Sequence, residues 1–122
     1  MKIRLAGHIP ESIIDGPGIR FVLFTQGCKH NCPGCHNPST HPLDGGNLVD
    51  SSEILGRIKK AKHIRGVTFS GGEPFLQAAP LALFGRQIRA LGLDIVTYSG
   101  YTFEELLAMA ARDKAVKDLL AV

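Results

Sequence analysis

VTFSGGEPFLQAAPLALFGRQIRALGLDIVTYSG, residues 67–100, reads as a strand, a helix and a second strand in succession. Val67-Thr68-Phe69 is a short β-branched and aromatic run that stops at Ser70-Gly71-Gly72. Pro80 suits the first turn of a helix, with Leu81, Phe84, Ile88 and Leu91 on one face and Gly92 as its stop. Residues 94–98 (DIVTY) form the next strand, which ends at Ser99-Gly100. A strand, a helix and a strand in close sequence are the unit of a parallel α/β sheet.

The same alternation extends both ways along the chain. On the C-terminal side, Thr102-Phe103-Glu104-Glu105 is a capping box that opens another helix. On the N-terminal side, Asp50-Ser51-Ser52-Glu53 starts a helix, with Asp50 as N-cap and Glu53 reaching back. That helix runs to about Ala61 and buries Ile54, Leu55 and Ile58. Residues 19–25 (IRFVLFT) read as a buried strand. The expected order is strand, long loop, helix, strand, helix, strand, helix, with a parallel sheet. Ligands gather at the C-terminal ends of such strands. The long loop, Ser70-Gly71-Gly72-Glu73 and Thr97-Tyr98-Ser99-Gly100 all follow strands, so the topology brings them to one rim.

The loop, residues 26–49, has no periodicity and holds all three cysteines of the chain. A structureless stretch of that length inside a compact domain is usually functional. Its centre is Gly27-Cys28-Lys29-His30-Asn31-Cys32-Pro33-Gly34-Cys35-His36-Asn37, with spacing C-x3-C-x2-C. An odd number of cysteines excludes a complete disulfide framework, and a metal role in a reducing compartment fits better. Thiolates clustered on a loop hold iron–sulfur clusters, and a cubane has four corners. Three cysteines would leave one iron open to bind a substrate directly. On spacing alone, structural zinc held by the three cysteines with His30 or His36 stays an alternative.

Composition narrows the classes. With 122 residues, 44% hydrophobic and 20% charged, the chain suits one soluble domain over residues 1–122. The formal charge of +3 is spread along the chain, which argues against a nucleic-acid partner. No apolar run is long enough to span a bilayer, and Gly7-His8-Ile9-Pro10 interrupts any signal-peptide core. A cytoplasmic location without membrane contact is the expectation. His8, His41 and His63 read as surface or loop residues.

These residues carry a family resemblance. C-x3-C-x2-C on the loop after the first strand resembles the signature of radical S-adenosylmethionine enzymes. Asp15-Gly16-Pro17-Gly18-Ile19-Arg20-Phe21 resembles the lead-in of glycyl-radical-enzyme activating proteins. Ser70-Gly71-Gly72-Glu73-Pro74 resembles the superfamily's second motif. Cys32-Pro33-Gly34-Cys35-His36-Asn37-Pro38-Ser39-Thr40 and Ser99-Gly100-Tyr101-Thr102-Phe103-Glu104-Glu105-Leu106 are most similar to the group that activates anaerobic ribonucleoside-triphosphate reductase. Four motifs in this order favour the cluster over zinc.

The resemblance implies a small, partial, open (β/α) barrel. It implies one [4Fe–4S] cluster on Cys28, Cys32 and Cys35, and no catalytic residue beyond the cluster. S-adenosylmethionine would be contacted by Gly34, Cys35, His36, Gly71, Gly72 and Glu73. The two glycines let backbone approach the ligand, their exposed N–H groups suit its carboxylate, and Glu73 suits its ammonium. Hydroxyls of Thr97, Tyr98 and Ser99 are candidates for the ribose. Gly34 stands where many members of the superfamily have an aromatic residue, which leaves His36 as a candidate against the adenine. The partner would be a glycyl radical enzyme, most like the anaerobic reductase, with an external one-electron donor such as flavodoxin. An activase of pyruvate formate-lyase is the near alternative; a non-catalytic zinc module is the alternative of another class. Arg20 beside the Asp15–Gly18 turn could instead be structural. The apolar ending Leu119-Leu120-Ala121-Val122 suggests a truncated chain, or a sheet edge covered by a partner.

Overall fold

The computed structural model describes residues 2–12, 18–27, 47–61 and 63–122. Along the chain these form β1 (Lys2–Ser12), β2 (Arg20–Thr25), β3 (Asn47–Asp50), α1 (Ser51–Lys60) and β4 (Gly66–Gly71). A 3₁₀ turn (Pro74–Gln77) follows, and then α2 (Ala78–Arg89), β5 (Asp94–Thr97), α3 (Phe103–Ala110) and α4 (Lys114–Leu120).

The five strands make one sheet in the order β3-β1-β2-β4-β5. β2, β4 and β5 are parallel, as the alternation predicts: Arg20 faces Gly66, and Gly66 faces Asp94. The sheet as a whole is mixed, which corrects the expectation of a purely parallel sheet. β1 runs antiparallel to both β2 and β3. Two of these strands were not expected from sequence. β1 holds Gly7 and Pro10, which break its alternation, and its ladder with β2 is irregular between Leu5 and Gly7 and between Ile9 and Ser12. β3 takes Asn47, Leu48 and Val49 from the end of the expected loop and pairs them with Leu5, Arg4 and Ile3.

The helices begin where their caps place them. Asp50 caps α1: its carboxylate accepts from the Ser52 N–H at 3.0 Å and from the Ser52 hydroxyl at 2.8 Å. The Ser52 N–H, and then its hydroxyl, hold the Asp50 carboxyl below the usual carboxylate range. Glu53 does not reach back; it faces Arg57 at 3.6 Å on the exposed side of the helix. Thr102 and Glu105 form the full reciprocal capping box of α3 at 3.1 and 3.0 Å. α2 starts two residues before Pro80, straight out of the 3₁₀ turn.

The core lies between the sheet and the helices. Phe21, Leu23, Val67 and Phe69 from β2 and β4 join Ile54 and Ile58 of α1, Leu81, Phe84 and Ile88 of α2, and Val116 and Leu119 of α4. Each such side chain contributes about 1.5–3 kcal/mol when fully buried. Leu55 is only half-buried, and Leu91, beyond the end of α2, is exposed.

Arg20 sits at the opposite end of the sheet from the expected rim. It is fully buried, and it ties the starts of the three parallel strands together. Its guanidinium donates to the Thr68 hydroxyl at 2.7 Å and to the Val67 carbonyl at 2.9 Å, and it pairs with the Asp94 carboxylate at 2.5 Å. A guanidinium can be buried only with such partners, because a buried unpaired charge costs several kcal/mol. Arg20 is therefore a structural residue.

Candidate functional site

Three strand ends converge. β2 ends at Thr25, β4 at Gly71 and β5 at Thr97, all at the C-terminal side of the parallel strands. The Thr25 hydroxyl donates to the Ser70 carbonyl at 3.0 Å. β4 then turns across the end of β2. Gly71 has φ +90°, and a Cβ there would stand 2.5 Å from the Thr25 nitrogen and 2.6 Å from the Phe24 carbonyl carbon. Only glycine permits both the left-handed backbone and so close a crossing.

The crossing uses backbone groups that the sequence pattern leaves for a ligand. The Gly72 N–H donates to the Thr25 carbonyl, and the Glu73 N–H donates to the Gly27 carbonyl, both at 2.7 Å. The expectation that the glycine N–H groups stand exposed for a carboxylate is thereby corrected at Gly72. In exchange, the Gly71–Glu73 turn is held directly against Gly27, the residue before Cys28.

Glu73 is buried, with 1% of its surface exposed. Its Oε1 accepts from the Gly100 N–H at 2.7 Å, and its Oε2 accepts from the Phe75 N–H at 3.0 Å. The Ser99 hydroxyl lies 2.8 and 2.9 Å from the two oxygens. A buried carboxylate requires such charge-assisted bonds to offset the loss of water. The Ser99 oxygen also accepts from the Tyr101 N–H at 3.1 Å. The Ser99 hydroxyl is thus directed at Glu73, whereas Tyr98 is exposed.

The departure of the cysteine loop is anchored from beneath. Gln26 is buried, and its N–H donates to the Arg4 carbonyl at 3.0 Å. The Gln77 amide grips both: it donates to the Arg4 carbonyl at 2.8 Å and to the Gln26 carbonyl at 3.2 Å, and it accepts from the Arg4 N–H at 2.8 Å. At the far side the loop re-enters the sheet at Asn47, paired with Leu5. Sequence reasoning missed Gln77, Gln26 and β1 as supports of this site. A glutamine at the end of a 3₁₀ turn gives no local signal of a partner 73 residues away.

Cys28, Cys32, Gly34, Cys35 and His36 lie outside the described residues, as do Asp15, Gly16 and Pro17. Among the described residues, no group of three or more His, Cys, Asp or Glu side chains could hold a metal ion. The thiolates that could do so all fall between the two anchored ends, three within eight residues. That donor set fits an iron–sulfur cluster with one corner open. Among the described residues, no helix is long and apolar enough to cross a membrane.

Comparison with known proteins agrees with this arrangement. Residues 14–122 match the family described as a 4Fe-4S single cluster domain. The anaerobic ribonucleoside-triphosphate reductase-activating protein of Salmonella typhi is 37% identical over 114 residues, covering 87% of this chain and 74% of the relative. The protein of the same description from Escherichia coli (strain K12) is 37% identical over 109 residues, covering 83% and 71%. The pyruvate formate-lyase-activating enzyme of Clostridium pasteurianum is 38% identical over 111 residues, covering 82% of this chain and 47% of that enzyme. Among solved structures, QueE from Escherichia coli superposes with a TM-score of 0.64 at 17% identity, over 81% of this chain and 52% of QueE. That likeness concerns the fold alone.

Proposed function

We infer the function from one premise: the chain belongs to the 4Fe-4S single cluster domain family, among the activating proteins of glycyl radical enzymes. It is a radical S-adenosylmethionine activase, an oxidoreductase-type enzyme that uses an iron–sulfur cluster and S-adenosylmethionine. The observation that carries this reading is the convergence at one rim. Gly27, Gly72-Glu73 and Ser99-Gly100 come from three strand ends and are joined by 2.7 Å hydrogen bonds.

Cys28, Cys32 and Cys35 would hold the [4Fe–4S] cluster through three thiolates. When bound, the cluster and S-adenosylmethionine supply the reductive cleavage of a carbon–sulfur bond and the 5′-deoxyadenosyl radical. The rest is the work of this chain's residues. The turn Gly71-Gly72-Glu73 would take the amino-acid end of S-adenosylmethionine, and Gly34, Cys35 and His36 are assigned to the same ligand by resemblance. Since the N–H groups of Gly72 and Glu73 are bonded to β2 and Gly27, the turn would recognise the ammonium by backbone carbonyls, with the buried Glu73 carboxylate tying the turn to Ser99 and Gly100. The sheet forms part of an open (β/α) barrel, a reading supported by the fold likeness to QueE. An open sheet admits a polypeptide loop, which a substrate glycine within a partner protein requires.

The partner is a glycyl radical enzyme, and we assign it to the anaerobic ribonucleoside-triphosphate reductase class, with an external donor such as flavodoxin as the reductant. Identity does not separate the two candidate groups, at 37% and 38%. Residues 99–106 and 32–40 favour the reductase group. The test is to incubate the reduced chain and S-adenosylmethionine with each candidate partner and record the glycyl radical by electron paramagnetic resonance. The expected result is a radical on the reductase; a signal on pyruvate formate-lyase alone would overturn the assignment.

A further inference from the structure

We propose that Gln77 is a positioning residue for the iron–sulfur cluster, acting through the two peptide groups that precede Cys28. The proposal rests on the reading that Cys28, Cys32 and Cys35 hold the cluster, and it adds a side chain that the cysteine motif does not contain.

The 3₁₀ turn Pro74–Gln77 holds the start of the cysteine loop at two points. Just before the turn, the Glu73 N–H donates to the Gly27 carbonyl at 2.7 Å. At its end, the Gln77 side-chain amide donates to the Gln26 carbonyl at 3.2 Å. Two successive carbonyls are thus held from one short element, directly before the first cysteine in sequence. Each peptide unit is planar, so fixing two in succession leaves few free torsions between the sheet and Cys28. Gly27 makes this hold matter. Its φ is +106°, a conformation that other residues rarely adopt, and an unheld glycine has more backbone freedom than any other residue.

Gln77 stands at the residue before α2, half-buried, yet its side chain makes no capping bond to that helix. Its amide bonds run to β1 and the loop start instead. The amide oxygen accepts from the Arg4 N–H, and the amide nitrogen donates to the Arg4 carbonyl, both at 2.8 Å. The side chain pairs with β1 much as a neighbouring strand would. An amide nitrogen carries two N–H groups, and the grip on Arg4 aims the second at Gln26. Arg4 and Gln26 make other contacts as well, so loss of Gln77 would loosen the loop start rather than release it. A loop ordered before it binds keeps more of its binding energy. Losing a partner that orients metal ligands typically weakens the hold on the metal by about 10–100-fold.

Gln77→Leu removes the amide, and Gln77→Glu keeps its shape but loses both N–H groups. Gly92→Ala, beyond the far end of α2, is the control for a general loss of stability. Each is compared with the parent chain after anaerobic reconstitution. The readouts are iron and sulfide content, the rate at which the chelator ferrozine takes iron from the protein, and electron paramagnetic resonance of the reduced cluster. Urea denaturation of the cluster-free chain gives the stability of each variant. Both Gln77 variants are expected to release iron about tenfold faster than the parent, with shifted g values for the reduced cluster. Gly92→Ala should release iron within about twofold of the parent and leave the g values in place, whatever it loses in urea. A merely structural Gln77 would speed release only in step with lost stability. Parent-like release by Gln77→Leu overturns the proposal, as do unshifted g values or a Gly92→Ala that speeds release as much. Should Gln77→Leu fail to fold, Gln77→Glu is read in its place by the same criteria. If the parent chain takes up no iron, the cluster reading falls and the proposal with it. If the parent holds its iron and the Gln77 variants match it, only the role of Gln77 falls.

Discussion

Glu73 presents its two oxygens to two different segments, Oε1 to Gly100 and Oε2 to Phe75. These two donors are main-chain N–H groups on different oxygens, so the position requires two acceptors. Glutamine matches the shape but offers one acceptor; its amide nitrogen would face an N–H. Leaving a buried N–H unmatched costs about 1–3 kcal/mol. Glu73→Gln is therefore expected to lower the free energy of unfolding by about that amount, read from urea denaturation of the chain. A variant as stable as the parent would show that the carboxylate geometry is not needed for the fold. Sequence alone picked out Glu73 because it follows two glycines at a strand end. It could not assign Ser99 to Glu73, since a hydroxyl at a strand end looks the same whether it meets a ligand, water or a neighbouring strand. Arg20 presents the converse case. Its place beside a glycine-rich turn left two readings open, and burial with Thr68 and Asp94 decides for the structural one.

Elements with strong local signals were legible: α1, α2, α3, β2, β4 and β5 all lie where caps, apolar faces and β-branched runs put them. β1 and β3 were not, because their pairing is what makes them strands. β3 has four residues, none of them fully buried. At the joint of β2 and β4, glycine identity is dictated by packing, and two left-handed glycines make a clean contrast. Gly71 has φ +90°, and a methyl group there would meet backbone at 2.5 Å; Gly92, after α2, has φ +82° with nothing within 4 Å. Gly92→Ala is expected to cost only the left-handed strain, about 1–2 kcal/mol. Gly71→Ala must in addition push β4 away from β2, so its loss of stability should be clearly larger in the same denaturation experiment. Equal losses would mean that the β2–β4 crossing relaxes at no cost.

Across the molecule, the sheet sets a division of labour between its two ends. One end is closed by the Arg20 guanidinium, bound to β4 and β5. The other gathers the anchored start of the cysteine loop, the Gly71–Glu73 turn and the Ser99–Gly100 bend. The parallel half of the sheet, and so this rim, followed from the alternation of strands and helices. The antiparallel β1 did not, yet through Arg4 it holds the Gln26–Gln77 contact from which the loop departs. The decisive experiment for the cluster and its chemistry is anaerobic reconstitution of the chain, with counts of iron and sulfide and an assay for 5′-deoxyadenosine after reduction with S-adenosylmethionine present. The expected product is a brown protein with about four irons and about four sulfides per chain that forms 5′-deoxyadenosine, and loses both properties when Cys28, Cys32 or Cys35 becomes alanine. A colourless chain that takes up zinc and leaves S-adenosylmethionine intact would contradict it.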